Sequence, residues 1–351
     1  MEKNLFISSF KKMPKALLIA ILFLFATEIV CRQNIRYIVN IGDYVLIYKR
    51  KHLTVKDKPY CDAIIIGDSR AMGINAKYVS TFVSQGLRRN FRIYNYSTPG
   101  FGVQGYYLLL KKYLKDNKKP KYLFFATRPV LLMGDADVEK KSNLGHRHRF
   151  FLFFSMADYI QSLSPVFFLK TLCLELERYS YLVTYRREIK NLFLQYVDEF
   201  KIKPKVSRDL IEERWGGYPY SLGRKAIPEG QSIDGFDYQQ DFYVDPNALC
   251  WYEKFLELAG ENQIKVVIFN LPIIEEFYDK HEKDGSNKKY KETIVNIADK
   301  YNHTVVLAPV LEPLQRKYFS DPGHLSELGL KEFDEVLARR ILDFIASDQW
   351  L

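Results

Sequence analysis

The sequence predicts an α/β fold in which helices cover both faces of a parallel sheet. Short apolar runs recur along the chain, and stretches with the apolar spacing of a helix separate them. Strands that are apolar at successive positions are typical of parallel sheets buried on both sides, and helices make the crossovers between them. We therefore expect three layers, with the sheet in the middle.

Each layer can be assigned to segments in chain order. The expected strands cover residues 61–67, 91–97, 121–127, 264–272 and 303–309. One expected helix begins near Asn75, and others cover 103–117, 248–263, about 286–300 and Glu327 to Ile345. The alternation of strand and helix is typical of βαβ units.

The alternation stops between Thr127 and about Pro246. The first part of this segment is aromatic with helical spacing, and the second part is rich in turn residues. We predict an insertion at about 135–245 with a helical part and a loop part. Aromatic stripes are typical of a packed core, and the functional alternative is a lid or a surface that rests on a membrane.

An apolar run near the N-terminus, residues 16–31, follows four lysines. It is short for a spanning helix, which needs about 20 apolar residues, and Glu28 interrupts its far end. A cleaved signal peptide, a lipoprotein signal and an uncleaved anchor are the alternatives. Val30, not a small residue, precedes Cys31, which disfavours both kinds of cleavage.

We therefore predict a cytoplasmic segment at 1–15, a membrane anchor helix at 16–35, a linker at 36–60 and an α/β domain at 61–351. The basic flank favours export of that domain. Arg32 and Arg36 oppose this orientation, although long domains are translocated largely regardless of charge.

The net charge of +10 suits an anionic glycan, an anionic lipid or a nucleic acid as partner. The densest lysine cluster, at 111–121, lies at the end of an expected helix and is typical of a solvated helix end. No zinc-finger spacing or RNA-binding signature accompanies it, so we expect no nucleic-acid partner.

Neither cysteines nor histidines form a metal-binding pattern. The four cysteines are scattered, which excludes a dense disulfide framework. His146 and His148 lie two residues apart, but no acidic or cysteine partner is near them. We expect no metal and no organic cofactor.

The first expected strand ends in Gly67, Asp68 and Ser69. A serine attacks an acyl carbonyl only when a base accepts its proton and donors stabilise the oxyanion. Because Ser69 follows a strand and precedes a helix, its N–H should face the carboxyl edge of the sheet, where open α/β folds bind ligands. Polar triplets also close strands without any function, which is the structural alternative.

Asp321 precedes His324 by three residues, just before the last helix. With this spacing one short segment supplies both a base and the carboxylate that orients it. We predict Ser69 as nucleophile, His324 as base and Asp321 as orienting group. The alternative is that Asp321 or Ser326 caps the helix and that His324 lies at the surface.

Together these features resemble the SGNH hydrolase (GDSL-type) superfamily, over most of 61–135 and 247–346. The residues that match its blocks are Gly67, Asp68, Ser69, Asn95, Gly100, Asp321 and His324. The resemblance implies a flavodoxin-like sheet and oxyanion donors at the N–H groups of Ser69 and Gly100. Asp68, Arg70 and Asn95 are expected to contribute to the substrate site.

One block departs from the superfamily. The third strand normally ends in Gly-x-Asn-Asp, whose Asn donates to the oxyanion, but here Arg128 stands at the Asn position. Arg128 either places its guanidinium near the oxyanion or pairs with a carboxylate. Loss of one such donor costs about 3–4 kcal/mol of transition-state stabilisation.

Arg70 and the apolar N-terminal run narrow the resemblance to membrane-anchored SGNH-like proteins, such as those of alginate O-acetylation and of D-alanyl transfer to teichoic acid. This branch implies a single-pass protein of the bacterial inner membrane with a periplasmic domain. The implied partners are the bilayer, a cell-surface glycan and a multi-pass membrane O-acyltransferase.

The expected function is an acyltransferase or esterase for O-acyl groups, acetyl above all, of that glycan. One alternative is a degenerate SGNH domain that binds glycan or supports a membrane acyltransferase; another is a lipid esterase. Trp215 and the glycines after it form either a sugar-stacking loop or a structural turn.

Overall fold

A computed structural model describes residues 15–33, 61–98, 102–133, 213–217, 225–233 and 241–347. Contacts divide the chain into one unit of Met1–Leu46 with His148–Ser207 and another of Ile47–Arg147 with Arg208–Leu351. Only a helix of the first unit is described, whereas the second unit contains the sheet. Most of the insertion predicted at 135–245 lies outside the described residues.

Helix α1 covers Lys15–Gln33 and coincides with the predicted anchor. Its apolar side chains are exposed, Ile19 and Phe23 among them. Among the helices in the described ranges, none is both long and apolar enough to cross a bilayer. The structure thus supplies a helix at this position but no membrane span.

The helices and strands of the second unit follow the predicted order. The strands are β1 (Ala63–Ile66), β2 (Ile93–Asn95), β3 (Tyr122–Thr127), β4 (Lys265–Asn270), β5 (Ile273–Ile274), β6 (Thr304–Val306), β7 (Pro313–Leu314), β8 (Phe319–Asp321) and β9 (His324–Leu325). The helices are α2 (Ala76–Leu87), α3 (Val103–Asp116), α4 (Pro246–Glu261), α5 (Glu275–Lys283), α6 (Ser286–Asp299) and α7 (Glu327–Ser347).

Five strands form the central sheet in the order β2-β1-β3-β4-β6, and all neighbours pair in parallel. This confirms the predicted parallel sheet. β1, β3 and β4 are buried at every position, as expected of strands covered on both faces. The chain moves from β1 outward to β2 and then back to β3, so the strand order reverses between β1 and β3.

Helices cover both faces of this sheet. On one face, Ile65 and Phe124 share a core with residues of α2 and α7, such as Val79. On the other face, the Phe125 ring lies 5.7 Å from that of Tyr106 in α3 and 4.6 Å from that of Phe255 in α4, measured between centroids. The sheet is therefore the middle layer.

Asp334 is a buried carboxylate of α7 on the first of these faces. It accepts the Asn75 N–H at 3.2 Å, and Arg214 Nη2 lies 4.0 Å from its Oδ2. Burial raises the pKa of Asp334 to about 7, although the Arg214 charge and the Asn75 N–H oppose the rise. The folded protein therefore keeps a proton on this group that the unfolded chain releases near 3.8.

We expect the free energy of unfolding to fall between about pH 4 and about pH 7 on account of Asp334. The sign follows because a raised acid pKa stabilises the fold only while the proton stays bound, and the loss is on the order of a few kcal/mol. Asp334→Asn keeps an acceptor for Asn75 but cannot ionise. Urea unfolding should therefore find this variant more stable than the parent at pH 8 and less dependent on pH.

The matched control is Asp299→Asn, which removes an exposed carboxylate of α6. It should leave the difference in stability between pH 5 and pH 8 unchanged. A pH dependence that survives intact in Asp334→Asn would contradict the assignment.

Candidate active site

A tight turn after β1 carries Ser69. A Cβ at Gly67 would lie only 2.7 Å from the Cβ atoms of Ala126 and Ala71, so glycine alone allows this turn to approach β3 so closely. A 3-10 turn follows at Ala71–Gly73. Ser69 itself is partly exposed at the carboxyl edge of the sheet.

The side chain of Asn95, at the end of β2, holds this turn in place. Its Nδ2 donates to the carbonyl oxygens of Ala71 at 2.9 Å and Ile74 at 3.0 Å. Its Oδ1 accepts the Ser97 N–H at 3.0 Å, and the side chain is fully buried. The structure therefore places Asn95 behind the nucleophile as a support, away from the substrate position that the sequence predicted.

His324 and Asp321 face each other across a hairpin. They are cross-strand partners of the antiparallel pair β8 and β9, with Pro322 and Gly323 in the turn. Asp321 Oδ1 accepts the Gly323 N–H at 2.9 Å as well as a bond from His324. The hairpin thus fixes the carboxylate in register with the imidazole.

The hairpin and the turn after β1 bring three predicted residues together. His324 Nε2 lies 2.8 Å from Ser69 Oγ, and His324 Nδ1 lies 2.8 Å from Asp321 Oδ1. The carboxylate assigns the proton to Nδ1, so Nε2 is the acceptor for the Ser69 hydroxyl. This arrangement can deprotonate a serine.

Of the two residues named as possible caps of the last helix, Ser326 is the one that caps it. Ser326 Oγ accepts the Gly329 N–H at 3.2 Å at the start of α7. Asp321 is engaged in the hairpin and does not cap this helix.

Of the three predicted oxyanion donors, two can be placed. Among the described residues, none accepts a hydrogen bond from the Ser69 N–H, so this donor is available. Gly100 lies outside the described residues. Arg128 Nε lies 2.7 Å from Asp68 Oδ2, so of the two alternatives for Arg128 the structure shows pairing with a carboxylate.

Asp68 is the centre of this charge cluster and is buried. Its Oδ1 accepts the Arg70 N–H at 2.9 Å, and the contact of its Oδ2 with Arg128 is an ion pair without the angles of a hydrogen bond. Burial opposes ionisation of Asp68, but the charges of Arg128 and Arg70 outweigh it and lower the pKa of this carboxyl. Asp68 therefore remains an anion beside the nucleophile.

Arg70 reaches the segment between β4 and β5. It is buried, and its Nη2 donates to the carbonyl oxygen of Pro272 at 2.8 Å. Burial lowers the pKa of Arg70 to about 10, against the opposing charge of Asp68. Both residues thus support the turn that carries Ser69, whereas the sequence predicted contact with substrate.

A buried polar cluster lies under the ends of β3 and β4, and sequence reasoning missed its member Tyr290. Thr127 and Asn270 are register partners, and Asn270 Oδ1 accepts the Tyr290 hydroxyl at 2.7 Å. Burial raises the pKa of the Tyr290 hydroxyl well above its ordinary value. The positions of Thr127 and Asn270 at two strand ends could have indicated this cluster. The sequence around Tyr290 in α6 contains no pattern that predicts its contact with Asn270.

Trp215 lies in a segment that runs along the edge of β2. Its carbonyl oxygen accepts the Asn95 N–H at 2.9 Å along the edge of β2, and its side chain packs against the core. Gly216 has a φ of 88°, and a Cβ there would lie 2.2 Å from the Asn95 carbonyl oxygen. Of the two alternatives, the structure therefore shows the structural turn.

His146 and His148, which the sequence analysis weighed as a metal-binding pair, fall outside the described ranges. Within those ranges, no group of three His, Cys, Asp or Glu side chains is placed to hold a metal ion.

The model of one protein family, described as "Protein of unknown function (DUF1574)", matches residues 21–341. The matched region includes both the turn with Ser69 and the hairpin with His324. No curated protein matches the chain.

Removal of the Asn95 amide should loosen the turn that carries Ser69. In Asn95→Ala two buried carbonyl oxygens lose their donor, and the free energy of unfolding should fall by about 2–4 kcal/mol. Urea unfolding measures this loss. Asn117→Ala is the matched control because its amide makes one bond, to the Tyr113 carbonyl at 3.1 Å, on a partly buried helix end. Equal losses in the two variants would contradict the role assigned to Asn95.

Proposed function

We propose that this chain, which belongs to the DUF1574 family of proteins of unknown function, is a serine-dependent acyltransferase or esterase. The observation that carries the proposal is the series of contacts from Ser69 Oγ to His324 Nε2 and from His324 Nδ1 to Asp321 Oδ1, each 2.8 Å long. The position at the strand-order reversal, where open α/β sheets bind ligands, supports it.

In the proposed reaction, Ser69 Oγ attacks the acyl carbonyl carbon while its proton passes to His324 Nε2. Asp321 stabilises the imidazolium through Nδ1. The Ser69 N–H donates to the oxyanion, and the resemblance to SGNH hydrolases adds the Gly100 N–H. His324 then protonates the leaving oxygen, and the acyl group remains on Ser69.

The second half of the reaction reverses these roles. A sugar hydroxyl or a water molecule gives its proton to His324 and attacks the acyl-serine carbonyl. Collapse of this intermediate returns the proton to Ser69. The product is an acylated acceptor or a free acid.

The substrate class and the location rest on the resemblance and on charge. A net charge of +10 suits an anionic cell-surface glycan, and the SGNH-like branch suggests O-acetyl groups, an inner-membrane anchor and a multi-pass O-acyltransferase as partner. Cells that carry Ser69→Ala should lose O-acylation of one surface glycan. Unchanged acylation of every surface glycan would exclude this substrate class.

A second candidate function is a catalytically silent SGNH-like domain that binds glycan or supports an acyltransferase. The observation in its favour is that Arg128 replaces the usual Asn donor and is held by Asp68. An amide therefore does not reach the oxyanion from the third strand. Labelling of Ser69 separates the two candidates.

A fluorophosphonate probe should label the purified full chain at Ser69. The serine displaces fluoride from phosphorus only when a base has activated its hydroxyl, so labelling measures the activated nucleophile. Mass spectrometry should find the adduct on the peptide that contains Ser69, and Ser69→Ala should abolish it. Ser347→Ala, which removes a hydroxyl at the end of α7, is the control and should label normally. A folded chain without labelling at Ser69 would favour the silent domain.

Asp321→Asn should slow labelling by a factor on the order of 10³ to 10⁴, because an amide at this position favours the wrong imidazole tautomer. The rate constant of labelling measures the effect. Asp343→Asn, an exposed carboxylate of α7, should react at the parent rate. A parent-like rate in Asp321→Asn would show that Asp321 does not orient His324.

A further inference from the structure

Arg128 lies across the strand-order reversal from Ser69. Ile66 of β1 and Phe125 of β3 are register partners, and each is followed three residues later by one of these two residues. Both residues therefore leave the sheet at the same level, on neighbouring strands. The crevice outside this reversal is where open α/β sheets bind ligands.

In the described residues, the Arg128 guanidinium contacts a carboxylate through one edge, that of Nε. Its Nε is buried 2.7 Å from Asp68 Oδ2, yet the side chain as a whole is 32% exposed. Among the described residues, no acceptor holds its two terminal amino groups. Donors of a fixed, planar fork are thus left open beside the nucleophile.

Arg128 shares its carboxylate partner, Asp68, with a second cation. Two guanidinium groups, Arg128 and Arg70, act on the single carboxylate of Asp68. The second carboxylate of the cluster, Asp321, acts on Arg70 and also contacts His324 and the Gly323 N–H through its Oδ1. The carboxylate beside Arg128 is therefore shared with a second, buried cation.

We propose that Arg128 binds an anionic oxygen group of the substrate, a carboxylate or a phosphate, through its terminal amino groups. Paired N–H donors of a guanidinium match the two oxygens of such a group, and a charged acceptor strengthens both bonds. The reacting ester would then lie at Ser69 with the negative charge a few atoms away. This inference rests on the proposed function, since it assigns the substrate class of the same site.

Two chromogenic esters test it on the full chain. p-Nitrophenyl acetate is neutral, whereas p-nitrophenyl hydrogen succinate carries a carboxylate at the far end of its acyl group. The readout is the ratio of kcat/KM for the succinate to that for the acetate, which cancels a general loss of activity. We expect a ratio well above one, and Arg128→Gln should lower it about tenfold or more.

Two comparisons isolate the anion contact. Arg339→Gln removes an exposed arginine of α7 and should leave the ratio unchanged. The second comparison makes Arg128→Gln in an Asp68→Asn background, where no buried carboxylate depends on Arg128 for its charge balance. The ratio should still fall in this background. A fall that occurs only when Asp68 is present would overturn the inference, as would a ratio near one in the parent.

The outcomes separate this inference from the proposed function. If Ser69 is labelled but Arg128→Gln does not change the kcat/KM ratio, the anion contact is overturned and the proposal of a serine enzyme is retained. If neither labelling nor ester cleavage occurs, the proposed function fails, and calorimetric titration with succinate and with inorganic phosphate decides the anion site. If succinate or phosphate binds the Ser69→Ala variant and the additional substitution Arg128→Gln abolishes this binding, the anion site is supported. If neither anion binds, the anion site is overturned.

Discussion

The buried amide of Asn95 is the contact on which the candidate site depends most. It holds the carbonyl oxygens of Ala71 and Ile74, and thereby fixes the chain directly after Ser69. The His324 imidazole comes from a hairpin 255 residues further along the sequence, so a 2.8 Å contact with Ser69 requires both segments to be rigid. Buried, fully bonded amides supply such rigidity because every alternative conformation leaves polar groups unsatisfied. Asp321 does the same for the hairpin by bonding both Gly323 and His324.

Asp68 determines the electrostatics of this edge of the sheet. Its buried charge is stable only because Arg70 and Arg128 approach it from two sides, one from its own turn and one from the end of β3. In the SGNH hydrolases that the sequence resembles, an amide donor stands at this position, and the Asp68 charge is a physical reason for a cation there. One edge of the Arg128 guanidinium contacts Asp68 and the other edge is open. In our proposal Arg128 therefore binds a charge of the substrate that is distant from the oxyanion, and does not donate to the oxyanion itself.

The strand segments and the parallel sheet follow from local patterns, because apolar runs and polar strand ends lie within short segments. The expected proximity of Ser69 to Asp321 and His324 depended on the resemblance to SGNH hydrolases, because His324 lies 255 residues after Ser69. The roles of Arg70, Asn95 and Trp215 do not follow in this way. Each is decided by a partner far along the chain, such as Pro272 for Arg70. The burial of the Asp334 carboxylate could not be predicted from the sequence either, because its environment includes Arg214 of the insertion. The helix at Lys15–Gln33 overlaps the anchor expected at 16–35, yet it is not long and apolar enough for a span.

Under the proposed function, the exposure of His324 and Asp321 bears on the choice between transfer and hydrolysis. The side chains of His324 and Asp321 are 19% and 28% exposed, so in the described residues water reaches the edge of the site. An acyl-serine at Ser69 then meets water at high concentration, and transfer prevails only if the acceptor is held in place, because binding raises its effective molarity. An anionic glycan bound at the open edge of Arg128 would gain this advantage over water. Under the proposed function, Arg128 would in this way favour the acceptor over water.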